Sequence, residues 1–278
     1  MVAIASRYVV VRDLRLHYLE AGEGPPVVLL HGWPTSVQLW RHCLGPIAAS
    51  RRRVIALDLP GFGRSDKPLA CSYSFPFFER VIDGFLDEIG IKRLGMAVHD
   101  LGGPLGLFWA SKQPDRLIDL APLNTIVFPE PSWAVSLFVA ATRIRGLREF
   151  ISSPAGIAFM FRLGIVDKTR VTRETLRLYQ EPWVTKEARH ALLKAGHGLH
   201  PRGFDRIVAA LPGLTCPVRV VYGSRDRILP DIGVTVARLA ALMPQIEVTE
   251  LTNCGHFLQE DCPAEVADLL SEFFGRQS

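Results

Sequence analysis

The chain has 278 residues, of which 48% are hydrophobic, so it is long enough to bury one sizeable core and to carry an inserted segment. Its 32 basic and 28 acidic residues nearly balance, and the basic run at 51–53 is expected to be a solvated loop, so nucleic acid is not an expected partner. No apolar run reaches the ~20 residues needed to cross a bilayer, and the N-terminus lacks the pattern of a secretory signal, so no membrane partner is expected.

The chain contains five cysteines, which form no C-x-x-C pair. They are Cys43, Cys71, Cys216, Cys254 and Cys262. An odd number without paired spacing predicts free thiols in a reducing compartment rather than a disulfide framework. The cytoplasm is therefore the expected location.

Alternating strands and helices predict the fold class. A leading hairpin is expected from Tyr8 to Val11 and from Leu14 to Leu19. The remaining strands are predicted at 26–30, 53–57, 94–99, 117–123, 217–222 and 246–251. Because helical patterns separate these strands, the chain is expected to form an α/β fold with a mostly parallel central sheet and helices on both faces.

The alternation stops in the middle of the chain, where residues 128–211 read as helices broken by prolines. This segment is predicted to be an inserted helical cap, and residues 1–127 and 212–278 are predicted to be the two parts of the core. The apolar stretches SWAVSLFVAATRI and SPAGIAFMFRLGIV are expected to pack on the core and to close an apolar pocket.

The run VHDLGGPLG has the form of a nucleophile elbow with Asp100 at the position of the nucleophile. An apolar strand-like segment precedes Asp100, and Gly102 and Gly103 begin a helix-compatible stretch after it. A carboxylate of reference pKa ~3.9 is ionised at neutral pH and can displace a leaving group from a saturated carbon, which would form an ester of the enzyme. The alternative is an aspartate that caps the following helix.

Two further residues support the catalytic interpretation. Asp226 follows the predicted strand 217–222, and His256 follows the predicted strand 246–251. A nucleophile, an acid and a histidine in this chain order, each after a strand, are typical of a catalytic triad on a parallel sheet.

A loop near the N-terminus completes the predicted site. The buried-strand run 26–30 ends at His31, and such a loop supplies one backbone N–H of an oxyanion hole. The predicted donors are the N–H groups of Trp33 and Leu101, which would bind the carboxylate oxygen that gains charge when water attacks the ester.

The motifs HGWPTSVQLWR, DLPGFGRSDKP, VHDLGGPLGL and GHFLQED resemble those of haloalkane dehalogenases and epoxide hydrolases in the α/β-hydrolase superfamily. The resemblance covers nearly the whole chain outside its middle third. It implies the α/β-hydrolase fold, with Asp100 as nucleophile, His256 as the base that activates water and Asp226 as the carboxylate that orients His256. Some dehalogenases carry the acid after the preceding strand, which would point to Asn124 or Glu130, but Asp226 makes this unnecessary.

The leaving-group site departs from the dehalogenase pattern. Dehalogenases usually have a tryptophan directly after the nucleophile, where this chain has Leu101, and many have Asn or Glu after His-Gly, where this chain has Trp33. A departing halide carries a full charge and needs hydrogen-bond donors in an apolar pocket. The candidate substitute donors are Trp33, Trp133 and Trp183.

The resemblance to epoxide hydrolases is also incomplete, because these enzymes usually polarise the epoxide oxygen with two cap tyrosines. Only Tyr179 lies in the predicted cap, although the aromatic residue after His-Gly is typical of epoxide hydrolases. The first hypothesis is therefore cleavage of a carbon–halogen bond in a small apolar substrate by water. Epoxide hydrolysis to a vicinal diol, lactone or ester turnover, and a non-catalytic ligand-binding protein are the alternatives. No metal and no cofactor is implied.

Overall fold

A mixed sheet organises the structure, a computed structural model that describes residues 2–276. Within these residues eight strands form one sheet in the order β1-β2-β4-β3-β5-β6-β7-β8. The strands are β1 Ile4–Val11, β2 Leu14–Ala21, β3 Pro26–Leu30, β4 Arg53–Leu57, β5 Leu94–Asp100, β6 Leu117–Thr125, β7 Arg219–Gly223 and β8 Glu247–Leu251. Strands β1, β2 and β4 pair antiparallel, and all other neighbours pair parallel.

The predicted leading hairpin is present and is longer than expected, since β1 begins at Ile4. Arg12 and Asp13 connect the two strands with φ angles of 47° and 69°, which is the left-handed pair that a two-residue hairpin turn requires. The six other predicted strands are also present, with ends that differ by no more than two residues.

Both faces of the centre of the sheet are covered. All seven residues of β5 are buried, although successive side chains of a strand point to opposite faces. The helices outside the middle segment are α1 Leu44–Ala49, α2 Phe75–Glu88, α3 Gly102–Ala110, α10 Ile232–Leu242, α11 Leu258–Asp261 and α12 Pro263–Gly275. Packed helices explain the burial of β5, because α3 packs against β5, β6 and α2, and α1 packs against β4 and α12.

The middle segment that was predicted as a cap contains only helices, turns and loops between β6 and β7. Its α-helices are α4 Trp133–Arg143, α5 Arg145–Ile151, α6 Pro154–Gly164, α7 Arg173–Gln180, α8 Lys186–His197 and α9 Pro201–Ala210. Several begin as the sequence suggests, with a serine or threonine whose side chain accepts from a backbone N–H, as Ser132 and Thr172 do. None of the helices in residues 2–276 is long and apolar enough to cross a bilayer.

The expectation of five free thiols is wrong for one pair. Cys254 and Cys262 form a disulfide, while Cys43, Cys71 and Cys216 are free. The pairing arises because α11 folds the chain back after β8, which the sequence spacing does not reveal. The cysteines therefore do not indicate a reducing compartment, and the cytoplasmic location stays a prediction.

The basic run at 51–53 is not a wholly solvated loop. Arg52 is fully buried, its Nε donates to the carbonyl of Phe274 at 2.8 Å, and its Nη2 lies 3.7 Å from Asp119 Oδ2. Arg52 therefore holds the C-terminal helix α12 against the sheet, because a buried guanidinium requires acceptors.

Candidate active site

The chain makes a sharp turn at Asp100, the last residue of β5, before α3 begins at Gly102. The φ angle of Asp100 is 48°, a left-handed value that non-glycine residues rarely adopt. Thr125 Oγ1 donates to the Asp100 carbonyl at 2.6 Å and fixes this turn. The strained turn presents the carboxylate above the carboxyl end of the sheet, as in a nucleophile elbow.

Two glycines allow this close packing. A Cβ atom at Gly32 would overlap the carboxylate of Asp100, and one at Gly103 would overlap the side chain of Thr125. Gly32 therefore lets the loop after β3 approach Asp100, and Gly103 lets the first turn of α3 approach Thr125, which fixes the turn at Asp100.

The structure brings together the three predicted triad residues. His256 Nδ1 donates to Asp226 Oδ2 at 2.8 Å, and His256 Nε2 lies 3.5 Å from Asp100 Oδ2. His256 is fully buried, and the two aspartates are nearly so. A carboxylate on Nδ1 fixes the ring so that Nε2 faces the candidate nucleophile.

Asp226 is held by a complete set of donors. Its Oδ1 accepts from the N–H groups of Ile228 and Leu229 at 2.7 and 2.8 Å. Its Oδ2 accepts from Asn124 Nδ2 at 2.6 Å as well as from His256. These contacts keep Asp226 ionised and fix its orientation. Asn124, the alternative acid position, therefore acts as a donor to Asp226.

The other alternative acid, Glu130, lies elsewhere. It is exposed and accepts from Arg238 Nη1 at 3.0 Å. It makes no contact with His256, so its position does not fit the acid of the triad.

Backbone donors meet one oxygen of the candidate nucleophile. The Trp33 N–H donates to Asp100 Oδ1 at 2.6 Å. The Leu101 N–H also interacts with this carboxylate and lowers its pKa. The two predicted oxyanion donors therefore face the Asp100 side chain, with Oδ1 on the side of Trp33 and Oδ2 on the side of His256.

Charge coupling sets the protonation of the site. Burial opposes ionisation of Asp100, but the hydrogen bond and the charge of His256 lower the pKa of Asp100 below its usual value. Burial likewise opposes a charged His256, but the carboxylates of Asp226 and Asp100 raise the pKa of His256 to about 10. Both carboxylates therefore favour the charged form of His256, and loss of the charge on Asp100, as in an ester, would lower the pKa of His256 so that it can act as a base.

A model of the alpha/beta hydrolase fold family matches residues 25–263. The chain belongs to the alpha/beta hydrolase fold family. The predicted superfamily and fold class are thereby confirmed.

Similar proteins share nearly the whole length of this hydrolase. Haloalkane dehalogenase 2 of Mycobacterium bovis is 29% identical over 274 residues, 94% of this chain and 92% of that protein. The crystal structure of haloalkane dehalogenase DbeA from Bradyrhizobium elkani matches with a TM-score of 0.88 at 26% identity, covering 99% of this chain and 98% of that chain. A soluble epoxide hydrolase of Corynebacterium is 26% identical over 298 residues, 98% of this chain and 97% of that protein.

A cavity of about 460 Å³ lies over the carboxylate in this hydrolase. It is lined by Asp100, His256 and Arg227 and otherwise almost entirely by apolar and aromatic side chains, including Leu101, Phe138 and Phe257. A cavity of this size and polarity fits a small apolar molecule.

The predicted tryptophan donors differ in position. Trp33 lines the cavity, but its indole N–H donates to the Leu192 carbonyl at 3.2 Å and is not free for a leaving group. Trp133 also lines the cavity and is 70% exposed. Trp183 is fully buried against Phe62 and does not line the cavity, so its predicted role in leaving-group binding is wrong.

The predicted role of Tyr179 is also wrong, because its side chain lies outside the cavity. Its hydroxyl donates to Glu260 Oε1 at 2.5 Å and accepts from Arg41 Nη1 at 3.2 Å. Arg41 also pairs with both oxygens of Glu260, and this ion pair is largely buried. Tyr179 therefore links α7 to the core.

We expect Tyr179→Phe to leave turnover nearly unchanged and to lower the free energy of unfolding by about 1–3 kcal/mol, because a buried hydrogen bond to a charged group is lost. Denaturant unfolding and steady-state kinetics measure the two effects. Tyr222→Phe is the matched control, since Tyr222 donates to the exposed Glu250 at 2.8 Å and its loss should cost less. A large loss of turnover with normal stability would contradict this prediction and indicate a role for Tyr179 in catalysis.

A second link between the middle segment and the core involves Asp261. Asp261 Oδ1 accepts from the N–H groups of Val166 and Asp167 at 2.9 Å each, and Oδ2 accepts from the Gly255 N–H at 2.7 Å. The His256 N–H also donates to the Gly164 carbonyl at 2.8 Å. The loop that carries His256 is therefore bound directly to the end of α6.

Arg227, which was not predicted, follows Asp226 in the chain and lines the cavity. Its adjacency to the predicted acid was the available signal, because a loop that positions Asp226 also places its neighbours near the site. The predicted absence of a metal is not tested by this structure, although the described residues include no cluster of His, Cys, Asp and Glu that could hold one.

Proposed function

We propose that this hydrolase cleaves a carbon–halogen bond in a small apolar substrate to give an alcohol and a halide, through an ester on Asp100. The observation that carries the proposal is the left-handed Asp100 with Oδ2 3.5 Å from His256 Nε2, beneath an apolar cavity. A carboxylate nucleophile suits displacement at a saturated carbon. The likeness to haloalkane dehalogenases over most of the chain supports the same chemistry.

In the first step, Asp100 Oδ2 attacks the carbon that bears the halogen, because Oδ1 is bound by the Trp33 N–H. A carbon–oxygen bond forms, the carbon–halogen bond breaks, and the halide leaves with the electron pair. The apolar lining removes water from the carboxylate and makes it a stronger nucleophile.

In the second step, His256 takes a proton from water, which attacks the ester carbonyl carbon. The carbonyl oxygen is the former Oδ1, so the charge of the tetrahedral intermediate develops where the Trp33 and Leu101 N–H groups point. As the intermediate collapses, His256 gives its proton to the departing oxygen and the alcohol is released. The carboxyl group, which has gained one oxygen from water, then loses its proton to solvent and is again a carboxylate. Asp226 stabilises the imidazolium that forms.

Trp133 is the proposed donor to the leaving halide. It lines the cavity, and its indole N–H is not committed to another described residue, unlike that of Trp33. Arg227 adds a positive charge to the lining of the same cavity. An indole N–H and a nearby cation together would bind the halide in place of the tryptophan that dehalogenases usually have where this chain has Leu101.

Epoxide hydrolysis is the second candidate, favoured by Trp33 after His-Gly and by the likeness to a soluble epoxide hydrolase. No tyrosine of residues 2–276 lines the cavity, so a tyrosine acid for the epoxide oxygen is lacking. Lactone or ester turnover requires the same triad and needs no such acid. A non-catalytic ligand-binding protein would bind substrates without turnover.

The test is halide release from short bromoalkanes and chloroalkanes, compared with diol formation from an aryl epoxide. We expect halide release, with Trp133→Phe roughly 10- to 100-fold slower on chloroalkanes and less affected on bromoalkanes, because chloride is the poorer leaving group and depends more on a donor. Leu137→Met, at a neighbouring cavity position, is the control and should change the rates little. Diol formation without halide release would transfer the assignment to epoxide hydrolysis.

A further inference from the structure

Helix α5 is unusual because none of its residues is buried. Residues 143–150 are exposed without interruption, although Ile144, Leu147 and Phe150 are large and apolar. Leu147 and Phe150 are spaced three apart and so share one side of the helix, and Ile144 directly precedes it. A helix that exposes its apolar side lacks the partner that would normally cover it.

The exposed apolar surface extends beyond α5. Six large apolar side chains of α4, α5, α6 and the residue between α4 and α5, between 45% and 70% exposed, form what we name the α4–α6 face. They are Trp133, Leu137, Ile144, Leu147, Phe150 and Phe159. The rings of Phe150 and Phe159 lie 6.2 Å apart, so the surface continues from α5 to α6.

This face is continuous with the cavity over Asp100. Trp133, Leu137, Phe150 and Phe159 are exposed to solvent and also line the cavity. An apolar molecule can therefore pass from an apolar phase that covers this face into the cavity without crossing water.

Arginines accompany the apolar side chains. Residues 133–164 contain four arginines and one acidic residue, Glu149, and all four arginines are exposed. Only Arg145 is paired with that glutamate. Exposed apolar side chains next to Arg on short helices are the pattern of segments that lie in the interface of an anionic membrane.

We propose that the α4–α6 face docks onto an anionic lipid surface and takes up apolar substrates from it. Arg143, Arg145, Arg148 and Arg162 would contact lipid phosphates while the apolar side chains enter the acyl boundary. A second copy of the chain fits less well, because a two-fold contact would gather the arginines of both copies in one interface, where Glu149 of each copy is the one acidic residue of this segment that could pair with them. The expectation of no membrane partner rested on the lack of a spanning segment, which surface docking does not require.

The tryptophans provide a probe for this contact. Trp40, Trp109 and Trp183 are fully buried, Trp33 is partly buried, and Trp133 on the α4–α6 face is 70% exposed. Contact with lipid should therefore shift the emission of Trp133 to shorter wavelength and protect it from a water-soluble quencher such as acrylamide.

The experiment measures co-sedimentation and tryptophan quenching with phosphatidylcholine vesicles, with and without phosphatidylglycerol. We expect binding that depends on phosphatidylglycerol and weakens with salt. Arg148→Glu should lower the partition coefficient at least about fivefold, the effect of one basic residue near an anionic surface. Leu147→Ser should lower it severalfold. Neither residue lines the cavity, so halide release in solution should be unchanged.

Matched controls lie away from this face. Arg93 is exposed at the amino end of β5, opposite to the cavity, and Val10 in β1 is 61% exposed. Arg93→Glu and Val10→Ser should bind vesicles like the wild type. The proposal would be overturned if the protein did not bind vesicles, or if the control variants lost binding equally. It would also be overturned if light scattering showed a dimer and Trp133 were protected from the quencher without lipid. These measurements do not depend on turnover, so their failure leaves the proposed chemistry untouched.

Discussion

His256→Ala should convert the enzyme into a stoichiometric reagent that forms an ester on Asp100 and cannot hydrolyse it. The first step needs only Oδ2 of Asp100, whereas the second needs a base at the position of His256 Nε2. Intact mass after incubation with a short bromoalkane should show one alkyl group per chain, located on the peptide that contains Asp100. Halide release should stop after one equivalent, and steady-state turnover should fall by about 10³-fold or more.

The control is the same variant with Asp100→Ala, which should remain unmodified. Incubation with an aryl epoxide distinguishes the second candidate, since it would leave a hydroxyalkyl group instead. An unmodified His256→Ala protein with every alkyl substrate would count against Asp100 as the nucleophile and favour the ligand-binding alternative.

Asp226→Asn should slow the second step far more than the first. In the wild type, four donors point at the Asp226 carboxylate, from His256, Asn124 and the N–H groups of Ile228 and Leu229. An amide would place its own N–H₂ among them, which turns or displaces the His256 ring and removes the carboxylate that raises the pKa of His256. We expect turnover to fall by about 10³- to 10⁴-fold, as when a triad carboxylate is replaced by an amide.

Rapid mixing separates the steps, because a burst of one halide per enzyme should persist before the slow steady state. Asp231→Asn provides the comparison, since Asp231 lies on the same loop and its side chain makes no cap hydrogen bond. That variant should retain normal rates. Loss of the burst together with turnover would place Asp226 in the first step or in folding rather than in ester hydrolysis.

The sequence was sufficient to locate the strands and the residues at their carboxyl ends. Asp100, Asp226 and His256 each follow an apolar run, and parallel strands bring such positions to one edge of the sheet. The loop with Trp33 follows the same logic. These features depend on local pattern and on chain order, which a single sequence contains.

Features that depend on how helices pack were not predictable. Tyr179 and Trp183 lie in the middle segment, but the orientation of α7 and the turn after it directs both side chains away from the cavity. Arg52 looked solvated because its acceptor, the carbonyl of Phe274, is 222 positions away in the chain. The Cys254 disulfide depends in the same way on the fold of α11.

The carboxylate of Asp261 constrains one part of the middle segment and leaves another part free to vary. It holds the N–H groups of Val166 and Asp167 together with that of Gly255, next to His256, so insertions near 165–167 would displace the base itself. Helices α4 and α5 carry no such bond to His256. Natural divergence and directed-evolution libraries should therefore change substrate range through α4 and α5, where the lining of the cavity can vary while the triad keeps its geometry.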